Sequence, residues 1–240
     1  MRPILLSGQT RALTKVTYNR DGDLLFSASK DHAPSVWFAH NGERLGTFEG
    51  HKGTVWDLCV SRDSKHLMTG AADSTCRLWS VDTGAELFSW PADTAVRSVA
   101  IAAGDKKALF VTDQKMGHPC YLNIVSLAPP SLDTLLTVAI QGNRITIARW
   151  GPLNAYIVAG HDNGKISVLD PDTGAVLRSC TEQSGSISDI QFGHERAYFV
   201  SSSKDHSAVI YDCDTLEVIK RFEIGRPCNA AAISPIRPHV

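Results

Sequence analysis

No stretch of this chain approaches the ~20 consecutive apolar residues that a membrane-spanning helix needs. The opening segment, Met1 to Ser7, holds too short an apolar run for a signal-peptide core. A charge excess is also missing: 24 Lys+Arg stand against 25 Asp+Glu, a formal net charge of −1. That balance argues against a whole-surface grip on nucleic acid or an anionic membrane. Basic residues are thinly spread, Lys106-Lys107 being an isolated pair, so direct RNA binding is disfavoured and no membrane partner is expected. The six cysteines (Cys59, Cys76, Cys120, Cys180, Cys213, Cys228) form no Cys-x-x-Cys pair. They are too sparse for a secreted disulfide scaffold, and the chain reads as reduced and cytoplasmic.

Chemistry-bearing clusters are equally scarce. His32, His40, His66, His118, His194 and His239 lie far apart, so no metal site is expected. The glycines form neither a phosphate-cradling loop nor a dinucleotide fingerprint, and no cofactor is expected. Asp205-His206-Ser207 contains the residue types of a hydrolase triad, but a triad is assembled in space and adjacent side chains on a turn diverge. His161-Asp162 reads as a hydrogen-bonded turn. No catalytic residue is nominated and the chain is not expected to be an enzyme.

What is present is a repeat. With 240 residues, 43% of them hydrophobic, the chain can bury a sizeable core. Five segments share one grammar: an apolar strand, a turn, a second strand ending in small residues, an aspartate, then a third strand. The aspartates are Asp31, Asp73, Asp113, Asp162 and Asp205, at intervals of 42, 40, 49 and 43 residues. The long interval accommodates a proline-rich insertion at Pro129-Pro130, placed in the outer part of the third unit. After four of these aspartates a strand ends in a bulky residue: Trp37, Trp79, Leu169 and Tyr211. Short β-rich strands at a period of ~40–45 residues, with Gly-His and Trp-Asp punctuation, belong to β-propeller blades. The expected fold is therefore all-β, a WD-repeat propeller.

The second unit shows the local chemistry best. Gly50-His51 precedes Val55-Trp56-Asp57, and Asp73 precedes Arg77-Leu78-Trp79. A buried His51 can bond Asp73 in the turn between the second and third strands while the Trp79 ring fills space between blades. Such a network persists in a core only when its members are satisfied, so His51, Asp73, Trp79, Asp31, Trp37, Asp162 and Asp205 are read as structural. Gly8-Gln9 takes the corresponding place before the first blade. Trp56 and Trp90 are read as core.

At about 42 residues per blade, the length corresponds to roughly five and a half blades. We divide the single 1–240 domain into a closing strand at 1–8, blades at 11–49, 50–91, 94–141, 143–181 and 185–225, and the start of a sixth at 227–240. Arg2–Ser7 reads as a lone outer strand and Asn229–Ser234 as the first strand of blade six. The expectation is a seven-bladed design, incomplete in this chain and cut within its sixth blade; a closed five-bladed ring is the alternative.

The chain resembles WD-repeat proteins, and one family closely. Its matching words are Tyr18-Asn19 with Gly22-Asp23-Leu24-Leu25-Phe26, Val36-Trp37, Asn41 to Gly46, Gly50-His51 and Trp150-Gly151-Pro152. Ala159-Gly160-His161, Ile187-Ser188-Asp189, Ser203-Lys204-Asp205 and Pro227-Cys228-Asn229 complete the set. That family is subunit i of eukaryotic translation initiation factor 3. The resemblance implies a non-catalytic scaffold that binds subunits b and g. It implies support for mRNA recruitment to the 43S pre-initiation complex, with the 40S subunit an indirect partner. A WD-repeat adaptor in signalling or ubiquitin-ligase substrate recognition is the alternative.

Loops joining strands one to two and three to four emerge on one face of each blade. They carry Asp63, Asp82, Asp170, Asp172, Asp212 and Asp214, with Glu195, so one rim collects carboxylates although the chain is nearly neutral. By the resemblance, Glu195 and Asp212 hold the tail of subunit b; taken alone, each acid caps a turn as Asp routinely does.

Overall fold

The computed structural model describes residues 3–115, 117–128, 132–193 and 197–234. Blade one consists of β1 (Leu13–Tyr18), β2 (Leu24–Ser29), β3 (Ser35–Phe38) and β4 (Arg44–Thr47). Blade two consists of β5 (Val55–Val60), β6 (His66–Ala71), β7 (Thr75–Ser80) and β8 (Glu86–Pro91). Blade three consists of β9 (Val96–Ile101), β10 (Lys107–Thr112), β11 (Cys120–Ser126) and β12 (Thr134–Ile140). Blade four has β13 (Ile145–Trp150), β14 (Ile157–His161), β15 (Lys165–Leu169) and β16 (Val176–Thr181). Blade five has β17 (Ile187–Phe192), β18 (Tyr198–Ser203), β19 (Ser207–Asp212) and β20 (Val218–Glu223). Each sheet runs in sequence order, as hairpin-linked antiparallel strands do.

The second strands end in small residues because both their faces are covered. In β6, Leu67 and Met68 are fully buried, and the chain continues as Thr69-Gly70-Ala71. Outer strands are the opposite case: Val176 is 57% and Ile219 58% exposed. Burial on both faces demands apolar or small side chains, while an edge strand tolerates anything that does not aggregate.

Contacts divide the chain into two compact units, residues 1–118 with 125–135, and residues 119–124 with 136–240. In the first, Phe26, Val36, Phe48, Val55, Leu67 and Trp79 form one core cluster. Met68, Leu78, Trp90, Val96, Val99 and Phe110 form another. In the second, Tyr156, Val158, Val168, Ile187, Phe199, Tyr211 and Leu216 pack together. Trp79 and Tyr211 are completely buried, and burial of side chains this large contributes about 2–3 kcal/mol each.

Five blades are formed among the described residues, and this corrects the seven-bladed design cut within a sixth. Residues 3–8 and 227–234 carry no strand. A strand exists as a member of a ladder, and among the described residues the second segment meets a strand where Cys228 N–H reaches Ser203 O at 3.1 Å. The first segment is held by side chains, since a Cβ placed on Gly42 would fall 2.5 Å from Ile4. Pro129-Pro130 lie outside the described residues; the flanking Ser126 N–H donates to Asp133 O at 2.8 Å. The one helical element described is a 3-10 turn at Pro152–Asn154.

Candidate interaction surface

In blade two, Trp79 Nε1–H donates to Thr69 Oγ1 at 2.8 Å. Thr69 Oγ1 lies 2.7 Å from His51 Nε2, and His51 Nδ1 lies 2.9 Å from the Asp73 carboxylate. Since Asp73 can only accept, Nδ1–H donates to it, and the donors run in one direction from indole to carboxylate. Burial pushes the Asp73 carboxyl up, but hydrogen bonds from His51, Thr75 and the Lys52 N–H outweigh it and hold it well below the usual carboxylate range.

Blades one and five build the same turn without histidine. Gln9 Nε2–H and Trp37 Nε1–H both donate to Ser27 Oγ at 2.8 Å. In blade five, Gln183 Nε2–H donates to Ser207 Oγ at 2.9 Å and Gln183 Oε1 accepts from Ser201. Ser207 Oγ–H donates to Asp205 at 2.6 Å. Thr10, Lys52 and Ser184, each 21 positions ahead, donate backbone N–H to Asp31, Asp73 and Asp205 at 3.0, 2.9 and 2.8 Å. Sequence reasoning missed Gln183, although that constant spacing was there to find it.

Blades three and four depart from the scheme. Asp113 pairs with Arg97 at 2.8 Å, and the Arg97 guanidinium sits 4.3 Å from the Trp56 ring centroid. Trp56 is thus half-buried under a cation, whereas Trp90 is buried and donates Nε1–H to Leu132 O at 2.9 Å. Asp162 lies 3.3 Å from Arg144. His161 turns away from it, reaching Asn143 O and Ser167 Oγ at 2.9 Å each. The residue types of a triad at 205–207 diverge: Ser207 serves Asp205 and Gln183, while His206 occupies a left-handed turn position at φ 74. Among the described residues, no group of three or more His, Cys, Asp or Glu is placed to hold a metal.

The rim carboxylates lie in turns. Asp170 Oδ1 accepts from the N–H groups of Asp172 and Thr173 at 2.8 and 2.9 Å. Asp212 Oδ1 accepts likewise from Asp214 and Thr215 at 2.8 and 2.9 Å. These backbone donors hold both carboxyls below their ordinary value. The Oδ2 of Asp212 has no partner among the described residues, so one oxygen builds the turn and the other faces solvent. Asp63 accepts from Ser61 Oγ at 2.6 Å and Lys65 N–H at 3.0 Å. Glu195 lies outside the described residues.

The family model described as EIF3I matches residues 1–240. The chain is 43% identical to "Eukaryotic translation initiation factor 3 subunit I" of Danio rerio over 244 residues, covering 100% of this chain and 75% of that protein. Against the protein of the same name from Homo sapiens the identity is 41%, with the same coverage. The β-propeller domain of Myceliophteria thermophila Cps50 (Swd1), a crystal structure, aligns at a TM-score of 0.78 and 15% identity, over 92% of this chain and 75% of that one. That likeness speaks for the β-propeller fold alone. The whole-length family match, together with the relatives in three-quarters of whose length this chain finds its counterpart, shows that the chain belongs to the family of eukaryotic translation initiation factor 3 subunit I.

Proposed function

We propose that this chain is a non-catalytic, cytoplasmic scaffold of translation initiation factor 3. It holds subunits b and g and thereby supports mRNA recruitment to the 43S pre-initiation complex. The observation that carries this reading is the whole-length similarity to relatives named as subunit I. Supporting it locally is the divided use of Asp212, whose Oδ1 is committed to the turn while Oδ2 is left outward. An outward oxygen on a rigid turn suits a basic segment of subunit b, because complementary charge steers and orients docking. Glu195 joins Asp212 in this role by the family resemblance.

Co-purification with tagged subunits b and g tests the scaffold reading; recovery of neither would overturn it. Charge reversal at Glu195 and Asp212 together is expected to weaken subunit b binding at moderate salt. Asp212→Asn is the cleaner partner variant, since an amide oxygen can still accept the turn's N–H groups while the charge is gone. Unchanged binding by both folded variants would reject the assignment of the subunit b site.

A further inference from the structure

In four of the blades the third and fourth strands are joined by the same turn, in which a last N–H meets the carbonyl of the first residue. The pairs are Gly42 with Phe38 at 2.8 Å, Gly84 with Ser80 at 2.9 Å, Gly174 with Asp170 at 2.8 Å and Leu216 with Asp212 at 3.1 Å. What occupies the space beside that last residue differs. At Gly42, an added Cβ would meet Ile4 at 2.5 Å. At Gly174 it would collide with Val138. At the blade-five turn Leu216 fills the space itself: it is 6% exposed and clusters with Val168 and Tyr156. The Tyr156 hydroxyl closes the same gap by donating to Cys213 O at 3.3 Å.

Gly84 is the exception. A Cβ there would meet only Thr47 O, at 3.7 Å. Leu24 stands where Tyr156 stands, one residue before the strand position that pairs with the bulky third-strand residue, Leu25 with Trp37 and Ile157 with Leu169. Two smaller residues thus replace a leucine and a tyrosine, and a cavity of about 390 Å³ remains. Leu24, Val36, Phe38, Leu45, Phe48 and Val81 form its apolar wall, with Asp82 in the turn beside Gly84. Asp82 is exposed and makes no hydrogen bond or ion pair among the described residues. The volume falls within the range of small binding pockets, which pair apolar walls with a few placed polar groups.

We propose that this gap between blades one and two is a binding pocket for a leucine-sized side chain of a partner polypeptide, flanked in that partner by lysine or arginine. The chain itself supplies the template, since Leu216 shows what fits the equivalent space. Asp82 supplies the charge preference. A basic neighbour gains from an unpaired carboxylate at the pocket lip, whereas an acidic one is repelled. The proposal does not rest on the blade-five reading, because Asp212→Asn leaves every wall of this pocket in place.

The test uses the full chain with ¹³C-labelled Leu and Val methyls, titrated with acetyl-Lys-Leu-Lys-amide up to ~10 mM. Binding with a dissociation constant of about 1 mM is expected, read as shifts at Leu24, Val36, Leu45 and Val81. Gly84→Leu should fold, because the turn accepts leucine at φ 62 in Leu216 and Gly84 lies at φ 70. It should bind at least about tenfold more weakly, with methyls elsewhere unmoved. Leu24→Tyr is a second filling variant should the first misfold. Asp82→Asn should weaken the basic peptide about threefold at low salt and leave neutral acetyl-leucine-amide unaffected. No shift with the unaltered chain, equal shifts in the folded filling variants, or no loss of charge preference in Asp82→Asn would each overturn the proposal.

Discussion

Gln183 and Asp205 are joined through one hydroxyl: Ser207 Oγ accepts from the amide at 2.9 Å and donates to the carboxylate at 2.6 Å. In blade two the corresponding pair, His51 and Asp73, touch directly at 2.9 Å. The imidazole is long enough to span a distance that glutamine bridges with a serine. Two chemistries therefore hold the same turn, and the consequences of removing them can be compared within one molecule.

His51→Gln substitutes the side chain that blades one and five already use, and is expected to cost about 1 kcal/mol. His51→Ala, which removes one hydrogen-bond partner each from Thr69 and Asp73 and empties a buried position, should cost about 2–3 kcal/mol. Gln183→Ala should cost about 1–2 kcal/mol, while Gln141→Ala, at an exposed position, should stay within about 0.5 kcal/mol. Urea denaturation of the four variants decides the order; equal midpoints for His51→Ala and Gln141→Ala would contradict it.

Stability should fall with acid in two steps. Burial lowers the His161 imidazole below its ordinary 6.5, despite the opposing hydrogen bond to Asn143 O. The folded state therefore favours neutral His161, and this contribution is present above 6.5 and lost as pH falls through the depressed value. Asp31, Asp73 and Asp205 lie below their ordinary 3.8, burial being outweighed by hydrogen bonds. Their contribution is present above 3.8 and disappears as pH drops through the folded values. Melting temperature measured from pH 8 downward should show both steps, and His161→Gln should remove the upper one alone.

Native thiols should label slowly. Burial pushes Cys180 and Cys213 up to about 11, and raises Cys76 well above its ordinary value. The thiolate is the reactive form, so a rise of two units from 9.0 lowers its population about 100-fold. Iodoacetamide labelling followed by mass spectrometry should find Cys180 and Cys213 about 100-fold slower in the native chain than in urea, and Cys76 slowed as well. Rates that match in the two states would show that these blades open freely.

The turn after β13 holds avoidable strain. Leu153 sits at φ 52 and is 92% exposed, so its side chain packs on little while its backbone occupies the left-handed region. Asparagine tolerates that region better. Leu153→Asn is expected to stabilise by about 0.5–1 kcal/mol, seen as a raised urea midpoint. A lowered midpoint would mean that the leucine makes contacts the native state needs.

Much of the fold was legible because a blade is a local object. Strand, turn and Asp follow one another within about 42 residues, and Trp37, Trp79 and Tyr211 each stand next to last in a third strand, one residue before the end their spacing indicates. Of the turn networks, His51 and Gln9 were visible in their places before blades two and one, and Gln183 was not, since it carries no motif beyond its distance from Asp205. The pairing of His161 with Asn143 instead of Asp162 could not be read, because it depends on which way a ring rotates at a strand end.

Sequence alone determined the blade grammar, the family and the placing of rim aspartates in turns, because these follow from short-range periodicity and from residues that only certain turns accept. Tertiary structure decided the rest. The segments at 3–8 and 227–234 are not strands, because a strand needs a partner that no local pattern guarantees. Asp212 divides its oxygens between turn and solvent, and the space beside Gly84 stays open where Leu216 closes its own. The open space depends on what packs across the gap between blades one and two, and that is set by side chains far apart in the chain.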